Sequence, residues 1–260
     1  MRHVFLSMVI ILGSFLYADS SWQTKADVRF NLSQTAYDNW KDGGENTWIW
    51  QLGFLGSHDQ IKPENNWKNS LKVNYGQSRQ GSEEIRKSSD ELRFISVYSW
   101  KKSNVYAAFN LLSQISEGKD YSGLTPALVS FAFDPLYLTE SLGYETLLLN
   151  VITTRVGVAL KQTIANKTSL TSSKSEFGVE FVTEFAHKLT ETVSYATTLQ
   201  LFSQLKSVDQ IDVYWDNDVK GKLTSDLNWI FNINLKYNKD VSSIVQLKQT
   251  FALQYLFSLI

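Results

Sequence analysis

The chain has 260 residues, a formal net charge of −1 and no cysteine. The lack of cysteine excludes disulfides, thiolate metal sites and a cysteine lipid anchor. The near-zero charge lacks the basic surplus typical of nucleic-acid binding, so we expect no nucleic-acid partner. A chain of this length fits one large all-β domain, since barrels often exceed the size of ordinary domains.

The first 18 residues are typical of a secretory signal peptide. Arg2 and His3 give a positive start, Val4–Leu16 forms an apolar core, and Ala18 is a small residue at the predicted cleavage point. The apolar core, about 13 residues long, is too short for a helix that crosses a membrane. We therefore expect residues 1–18 to be a signal peptide and residues 19–260 to be the mature domain.

From there to the end of the chain, apolar and polar residues alternate in a series of segments. A period of two indicates β-strands with one apolar and one polar face. We predict twelve strands; a split or merged strand would change the count to ten or fourteen. The predicted strands cover approximately residues 22–37, 48–54, 71–76, 90–101, 104–115, 136–146, 150–165, 176–185, 193–201, 211–222, 227–237 and 245–259.

The last two predicted strands show the alternation most clearly. Leu227, Trp229 and Phe231 occupy one face of the first of these strands, whereas Asn228 and Asn232 occupy the other. Strands of about 11–15 residues, tilted near 40°, cover roughly the 30 Å apolar layer of a bilayer. The alternative is a strand pair in a soluble sandwich, but soluble strands usually have about 5–6 residues. The pattern predicts an all-β fold, a transmembrane up-and-down antiparallel β-barrel of about twelve strands.

An even number of strands places both termini on one side of the membrane, and we expect that side to be the periplasm of a Gram-negative bacterium. The connections after predicted strands four, eight and ten are short, as periplasmic turns are, and those after strands one, three, five and seven are longer. The expected partners are outer-membrane lipid and the barrel assembly machinery, which would bind the C-terminal strand.

The alternation fails between the fifth and sixth predicted strands, over Ser116–Pro135. This stretch contains an apolar run whose members are Ala127, Leu128, Val129, Phe131 and Phe133. Exposed apolar residues need cover. We therefore predict a long loop that folds inward, where it would plug the lumen of the barrel.

The loop after the first predicted strand reads Asn-Trp-Lys-Asp-Gly-Gly-Glu-Asn over 39–46, and its distinctive members are Trp40, Gly43, Gly44, Glu45 and Asn46. Together with segments 31–34, 69–77, 86–90, 134–143, 154–163, 213–217 and 237–240, this motif resembles the domain-of-unknown-function family 3078 of Gram-negative outer-membrane proteins. The resemblance implies the barrel fold and the location, and it carries no assigned activity. Trp40 is interpreted as an interfacial anchor or as part of a surface site for a ligand.

The polar faces of several predicted strands are strongly charged and would point into a closed barrel. The candidate pore-lining residues are Arg93, Arg155, Lys161, Glu176, Glu180, Glu184, Asp212, Asp216 and Asp218. One reading is a water-filled pore whose fixed charges select solutes. The other is an interior of ion pairs that closes a narrow barrel. If the basic and acidic strands lie on opposite sides, we expect one basic and one acidic wall across the lumen.

Catalytic and metal-binding patterns are poorly represented. The mature chain offers only His58 and His187 for a Ser/His pair, and the predicted topology places both at the periplasmic side. The pair Asp216 and Asp218 lacks the spaced glycine and bidentate glutamate of a calcium loop. We expect no enzyme activity, no metal and no cofactor. The composition favours a narrow porin-like passive channel for small polar solutes or ions, with a non-conducting structural or surface-ligand-binding barrel as the alternative.

Overall fold

The computed structural model describes residues 21–38, 45–206, 211–239 and 242–260. The predicted signal peptide, residues 1–18, lies outside the described residues. So do Trp40, Gly43 and Gly44 of the loop motif.

The described chain contains fourteen strands. They are β1 (Trp22–Thr35), β2 (Thr47–Ile61), β3 (Asn65–Gln80), β4 (Arg86–Trp100), β5 (Val105–Ser113), β6 (Gly118–Asp120), β7 (Ala127–Ser130), β8 (Leu136–Leu148), β9 (Ile152–Ile164), β10 (Lys174–Lys188), β11 (Val193–Gln204), β12 (Ile211–Lys222), β13 (Leu227–Asn238) and β14 (Ser242–Ser258). Twelve of them close into an antiparallel barrel, in which each strand pairs with its neighbours in the chain. Strands β6 and β7 form a separate hairpin between β5 and β8. The predicted twelve-stranded up-and-down barrel is confirmed.

The two faces of the barrel wall follow the predicted alternation. On β14, the side chains of Ala252 and Gln254 are buried, with 5% and 1% of their surface exposed. Phe251 and Leu253, which alternate with them along the strand, are 62% and 49% exposed. Large apolar side chains on the outer face of the other strands are exposed in the same way, for example Leu52 at 49% and Leu142 at 53%. An apolar surface that encircles the barrel requires lipid around it, because water would make such a surface unstable.

No helix in the described part of the chain has the length and apolar character that a membrane-crossing helix needs.

Both termini lie at one end of the barrel, which we call the terminus end; the opposite end is the loop end. Strand β2 extends further toward the terminus end than the sequence predicted, because residues 55–61 continue the pairing with β1 and β3. The turn after β2 is therefore only residues 62–64, and the long connection predicted there does not exist. Polar residues such as His58 and Asp59 broke the apolar pattern without breaking the strand.

Aromatic side chains gather on the outer face of the terminus end. The rings of Trp22 and His58 stack at 4.2 Å between centroids, and Trp67 lies 5.8 Å from Trp22. Tyr98 and Trp100 continue this cluster on β4, 4.7 Å apart. Rings with an apolar body and a polar atom favour the boundary between lipid and water. The cluster therefore marks the level at which the barrel meets one membrane surface.

The closure between β1 and β14 is shorter than the other seams of the barrel. Six residue pairs join these strands, from Asp27–Ser258 to Leu32–Leu253, whereas fourteen pairs join β1 to β2. Toward the loop end, β14 continues to Ser242 and pairs only with β13.

The alternation makes a testable difference between adjacent residues on β13. Phe231 lies on the outer face near the middle of the strand, so Phe231→Arg should cost about 2–4 kcal/mol of folding free energy in lipid. Asn232→Arg should cost much less, because residue 232 faces the interior, where Asp216 and Asp218 can pair with a cation. A refolding titration in vesicles measures both values, and equal losses would contradict the assigned faces.

Candidate functional site in the barrel interior

One interior contact spans the full width of the barrel. The guanidinium carbon of Arg93 on β4 lies 4.2 Å from the ring centroid of Tyr214 on β12. Five strands separate β4 from β12 in either direction around the barrel. The two residues therefore reach toward each other from opposite walls. A cation over an aromatic face is attracted to it, and more strongly where water is excluded.

Ion pairs surround this contact. The ammonium group of Lys72 on β3 lies 3.3 Å from Glu91 and 3.7 Å from Asp216 on β12. The Nε atom of Arg93 lies 3.4 Å from the same Glu91 carboxylate. We call the set Lys72, Glu91, Arg93, Tyr214 and Asp216 the cross-lumen layer. It links the β3–β4 wall to the β12 wall by charge as well as by ring contact.

Of this layer, the sequence singled out Arg93 and Asp216 as interior candidates, and it missed Glu91 and Tyr214. A signal for both was available. Glu91 precedes Arg93 by two residues and so shares its face. Tyr214 lies between Asp212 and Asp216 on the same polar face, but an aromatic residue on that face gave no sign of a cross-barrel partner.

A second group of charges lies nearer the terminus end. Arg155 on β9, 7% exposed, donates to Glu184 on β10 at 3.0 Å and lies 3.7 Å from Glu145 on β8. Its guanidinium is also 5.9 Å from the ring of Tyr106, which is fully buried. Glycine at position 157 leaves room for the Tyr106 side chain, because a Cβ at that position would come within 2.7 Å of the Tyr106 hydroxyl.

A third group lies toward the loop end. The ammonium group of Lys161 on β9 pairs with Asp212 on β12 and lies 3.7 Å from Glu176 on β10. The ammonium group of Lys174 also lies 3.0 Å from the Glu176 carboxylate. Lys161 and Glu176 are 8% and 5% exposed, so this pair is shielded from solvent.

The remaining two candidates, Glu180 and Asp218, are held by amides. Gln200 donates to the Glu180 carboxylate at 2.7 Å, and Asn232 donates to Asp218 at 2.7 Å. All nine predicted interior residues thus lie on the inner face of the wall, in pairs or small groups.

The charges do not form the two opposite walls that the sequence suggested. Strand β9 lies between β8 and β10, so Arg155 and Lys161 sit beside the acidic strand and pair with its carboxylates. The expectation of a transverse field fails because strand adjacency, which an up-and-down barrel enforces, puts the basic strand next to the acidic one. The interior charge is therefore locally neutralised.

Little space remains between the cross-lumen layer and the Arg155 group. The cavity between Arg93, Arg155, Glu180 and Gln200 has a volume of about 30 Å³. That space holds about two water molecules, since each needs roughly 10–15 Å³. Side chains from the strands themselves fill the middle of the barrel.

The apolar run of the long loop lies at the rim of the loop end. The Val129 carbonyl accepts hydrogen bonds from Ser169 N at 3.1 Å and from Thr168 Oγ1 at 2.7 Å. Leu128 and Phe133 are 47% and 57% exposed. The loop between β9 and β10 supplies these hydrogen-bond partners, and the inward fold of the apolar run stays a prediction.

The described part of the loop motif braces the neighbouring turn. Asn46 Oδ1 accepts from Tyr37 N at 2.6 Å, and the Asn46 carbonyl accepts from Gly81 N at 2.7 Å. Gly81 has a φ of 54°, and a Cβ there would approach the Glu45 carboxylate to 3.0 Å. Glu45 and Asn46 therefore tie the β1–β2 loop to the turn between β3 and β4.

Within the described ranges, no group of three or more His, Cys, Asp or Glu side chains has the arrangement of a metal site. His58 and His187 both lie toward the terminus end. His58 accepts or donates a 2.9 Å hydrogen bond with Thr24, and the ring of His187 stacks 6.0 Å from that of Phe185.

Comparison with solved structures returns membrane barrels at low identity. The chain is similar to the translocator domain of autotransporter NalP from Neisseria meningitidis, with 7% identity, a TM-score of 0.40, and coverage of 98% of this chain and 95% of that one. It is similar to an outer membrane channel from Pseudomonas putida F1, with 10% identity, a TM-score of 0.41 and coverage of 90% and 94%. The beta domain of the Bordetella autotransporter BrkA gives 10% identity, a TM-score of 0.37 and coverage of 90% and 98%.

The closed antiparallel sheet and its apolar outer surface define the class: the protein is a transmembrane β-barrel. The family model described as "Protein of unknown function (DUF3078)" matches residues 32–118, which confirms over that segment the resemblance stated from the sequence. The motifs quoted from 134 onward lie outside the matched segment. No curated protein matches the chain.

The Lys161 group allows a direct test of interior charge pairing. Lys161→Met should destabilise the barrel by about 3 kcal/mol, at the low end for a broken buried pair because Lys174 still neutralises Glu176. Urea unfolding in detergent measures the loss. Lys188→Met, at the exposed end of β10, is the matched control, and an equal loss there would contradict the assignment.

Proposed function

We propose that the protein is an outer-membrane barrel closed to solutes at mid-height, which acts from its loop end as a surface ligand-binding barrel. The observation that carries this proposal is the contact of Arg93 with Tyr214 across the full width of the lumen. An open porin keeps a water-filled channel along its axis, whereas here side chains from opposite walls meet.

The interior charges support the same conclusion. The ammonium group of Lys72 pairs with both Glu91 and Asp216, so these fixed charges neutralise one another within the barrel. A solute would have to pass between these paired side chains, which are only partly exposed to water. Of the two hypotheses from the sequence, the geometry favours the non-conducting barrel over the porin-like channel.

The proposed orientation places the terminus end in the periplasm of a Gram-negative bacterium and the loop end outside the cell. The turns at the terminus end are short, with residues 62–64 and 149–151 as examples, while the segment between β5 and β8 at the loop end carries its own hairpin. Short turns inside and long loops outside are the usual arrangement of such barrels. The signal-like residues 1–18 fit export to this membrane.

Conductance measurements test the closure. Wild-type protein in planar bilayers should carry no steady current, and the Arg93→Ala, Tyr214→Ala double variant should open a conducting path because both halves of the cross-barrel contact are removed. Arg86→Ala, which removes a rim ion pair with Glu83 and a ring contact with Tyr121 but nothing that crosses the lumen, is the control and should stay silent. Steady conductance of the folded wild type would overturn the closure and restore the channel hypothesis.

Labelling of intact cells tests the orientation. Because the chain has no cysteine, single cysteines can be introduced without background. Leu124→Cys, in the exposed hairpin at the loop end, should react with a membrane-impermeant maleimide, whereas Lys102→Cys, in the turn between β4 and β5, should react only after the outer membrane is permeabilised. The reverse pattern would show the opposite orientation.

A further inference from the structure

The seam between β1 and β14 opens toward the loop end. Their pairing stops at Leu32–Leu253, although Ser33–Thr35 and Thr250–Ala252 would continue the register. Among the described residues, the part of β14 from 247 to 252 is bonded to β13 alone, and residues 33–38, which continue the register of β1, are not paired with it. The β1-facing edge of β14 therefore presents backbone groups that have no described strand beside them.

The outer side of this open edge is apolar. Phe251, Leu247 and Val245 are 62%, 58% and 53% exposed. Backbone groups without partners are costly in the hydrocarbon layer, at several kcal/mol each, and open sheet edges are tolerated only where they line a wet or occupied cavity. The opening therefore has the character of a side passage between the surrounding membrane and the interior.

Two lysines lie on the inner face beside this passage. Lys236 on β13 is paired with Gln246, and Lys248 on β14 is paired with Asn234, which makes the two lysines diagonal neighbours. Both are exposed, and in the described chain neither has a carboxylate within ion-pair distance. Like charges at this spacing repel each other, so an anion between them is stabilised by both.

The remaining contacts of these lysines define the floor of the site. Lys236 Nζ lies 5.2 Å from the ring centroid of Tyr214, which belongs to the cross-lumen layer. Lys248 Nζ donates to the Ser88 carbonyl of β4 at 3.0 Å. The two ammonium groups therefore lie against the layer that closes the barrel, with the β1–β14 opening next to them.

We propose that the interior space beside Lys236 and Lys248 binds a phosphate-headed lipid from the leaflet around the loop end. The phosphate lies between Lys236 and Lys248, and the acyl chain leaves through the β1–β14 opening. The inference rests on the proposed function, since it assigns the ligand class of a barrel closed at mid-height. Two ammonium groups match the charge of a phosphate monoester, and the apolar edge at Phe251 matches the chain. The surrounding membrane is the source of the ligand, because the opening faces lipid.

Binding of dodecyl phosphate to the full barrel in a nonionic detergent provides the test. We expect saturable binding, measured by calorimetry or native mass spectrometry, and the Lys236→Gln, Lys248→Gln double variant should weaken it by about tenfold or more, because two charge-assisted hydrogen bonds are lost. The Lys188→Gln variant, with its change at the terminus end, should bind like wild type. Dodecanol, which has the chain without the charge, should not compete.

A diazirine at the far end of the dodecyl phosphate chain locates the passage. Photo-crosslinks should fall on residues 33–35 or 250–252. Crosslinks confined to the outer face of β8 and β9 would overturn the passage, and equal binding by the double variant would overturn the phosphate site. Tighter binding of laurate than of dodecyl phosphate would overturn the assigned head group. The bilayer current reports the closure separately, so a silent wild type that fails to bind dodecyl phosphate contradicts this inference alone.

Discussion

The structure depends on a constraint that acts along every barrel strand: one face meets lipid and the other meets an enclosed polar interior. A strand turns successive side chains to opposite faces, so a sequence with a period of two satisfies both environments at once. Phe251 and Gln254 show the result within four residues of β14, one 62% exposed to the outside and the other 1% exposed on the inside. The backbone is satisfied by closure of the sheet, which leaves the side chains to determine what the interior can hold.

Inside the wall, neutralisation of charge governs the arrangement. A twelve-stranded barrel encloses more space than a smaller barrel, whose interior side chains can fill completely. Here charged and aromatic side chains occupy that space. Arg155 and Lys161 have carboxylate partners on adjoining or nearby strands, while Arg93 extends to Tyr214 on the far wall. Within the described residues, Lys236 and Lys248 have no carboxylate at ion-pair distance, and they lie beside the short β1–β14 seam. The proposed lipid passage therefore begins beside these two lysines.

The fold was predictable because the alternation is a local property of the sequence. Strand faces on β13 and β14 followed directly from residues such as Trp229 and Leu253. Strand ends were less predictable, since the polar residues His58 and Asp59 remain in β2 through pairing with both neighbours. Contacts across the lumen could not be predicted from the sequence, because they depend on strand order, register and side-chain length together. Tyr214 is the example: its partner Arg93 lies 121 residues away and five strands around the barrel.

The short β1–β14 seam also determines where the sheet of the barrel opens most easily. Of the barrel seams, β1–β14 has the fewest backbone pairs, six against eight between β5 and β8. Local opening begins where the fewest bonds must break, so amide hydrogens along β14 should exchange before those of β9 or β10. A barrel that closes on so few pairs keeps a low barrier to lateral unzipping throughout its life in the membrane.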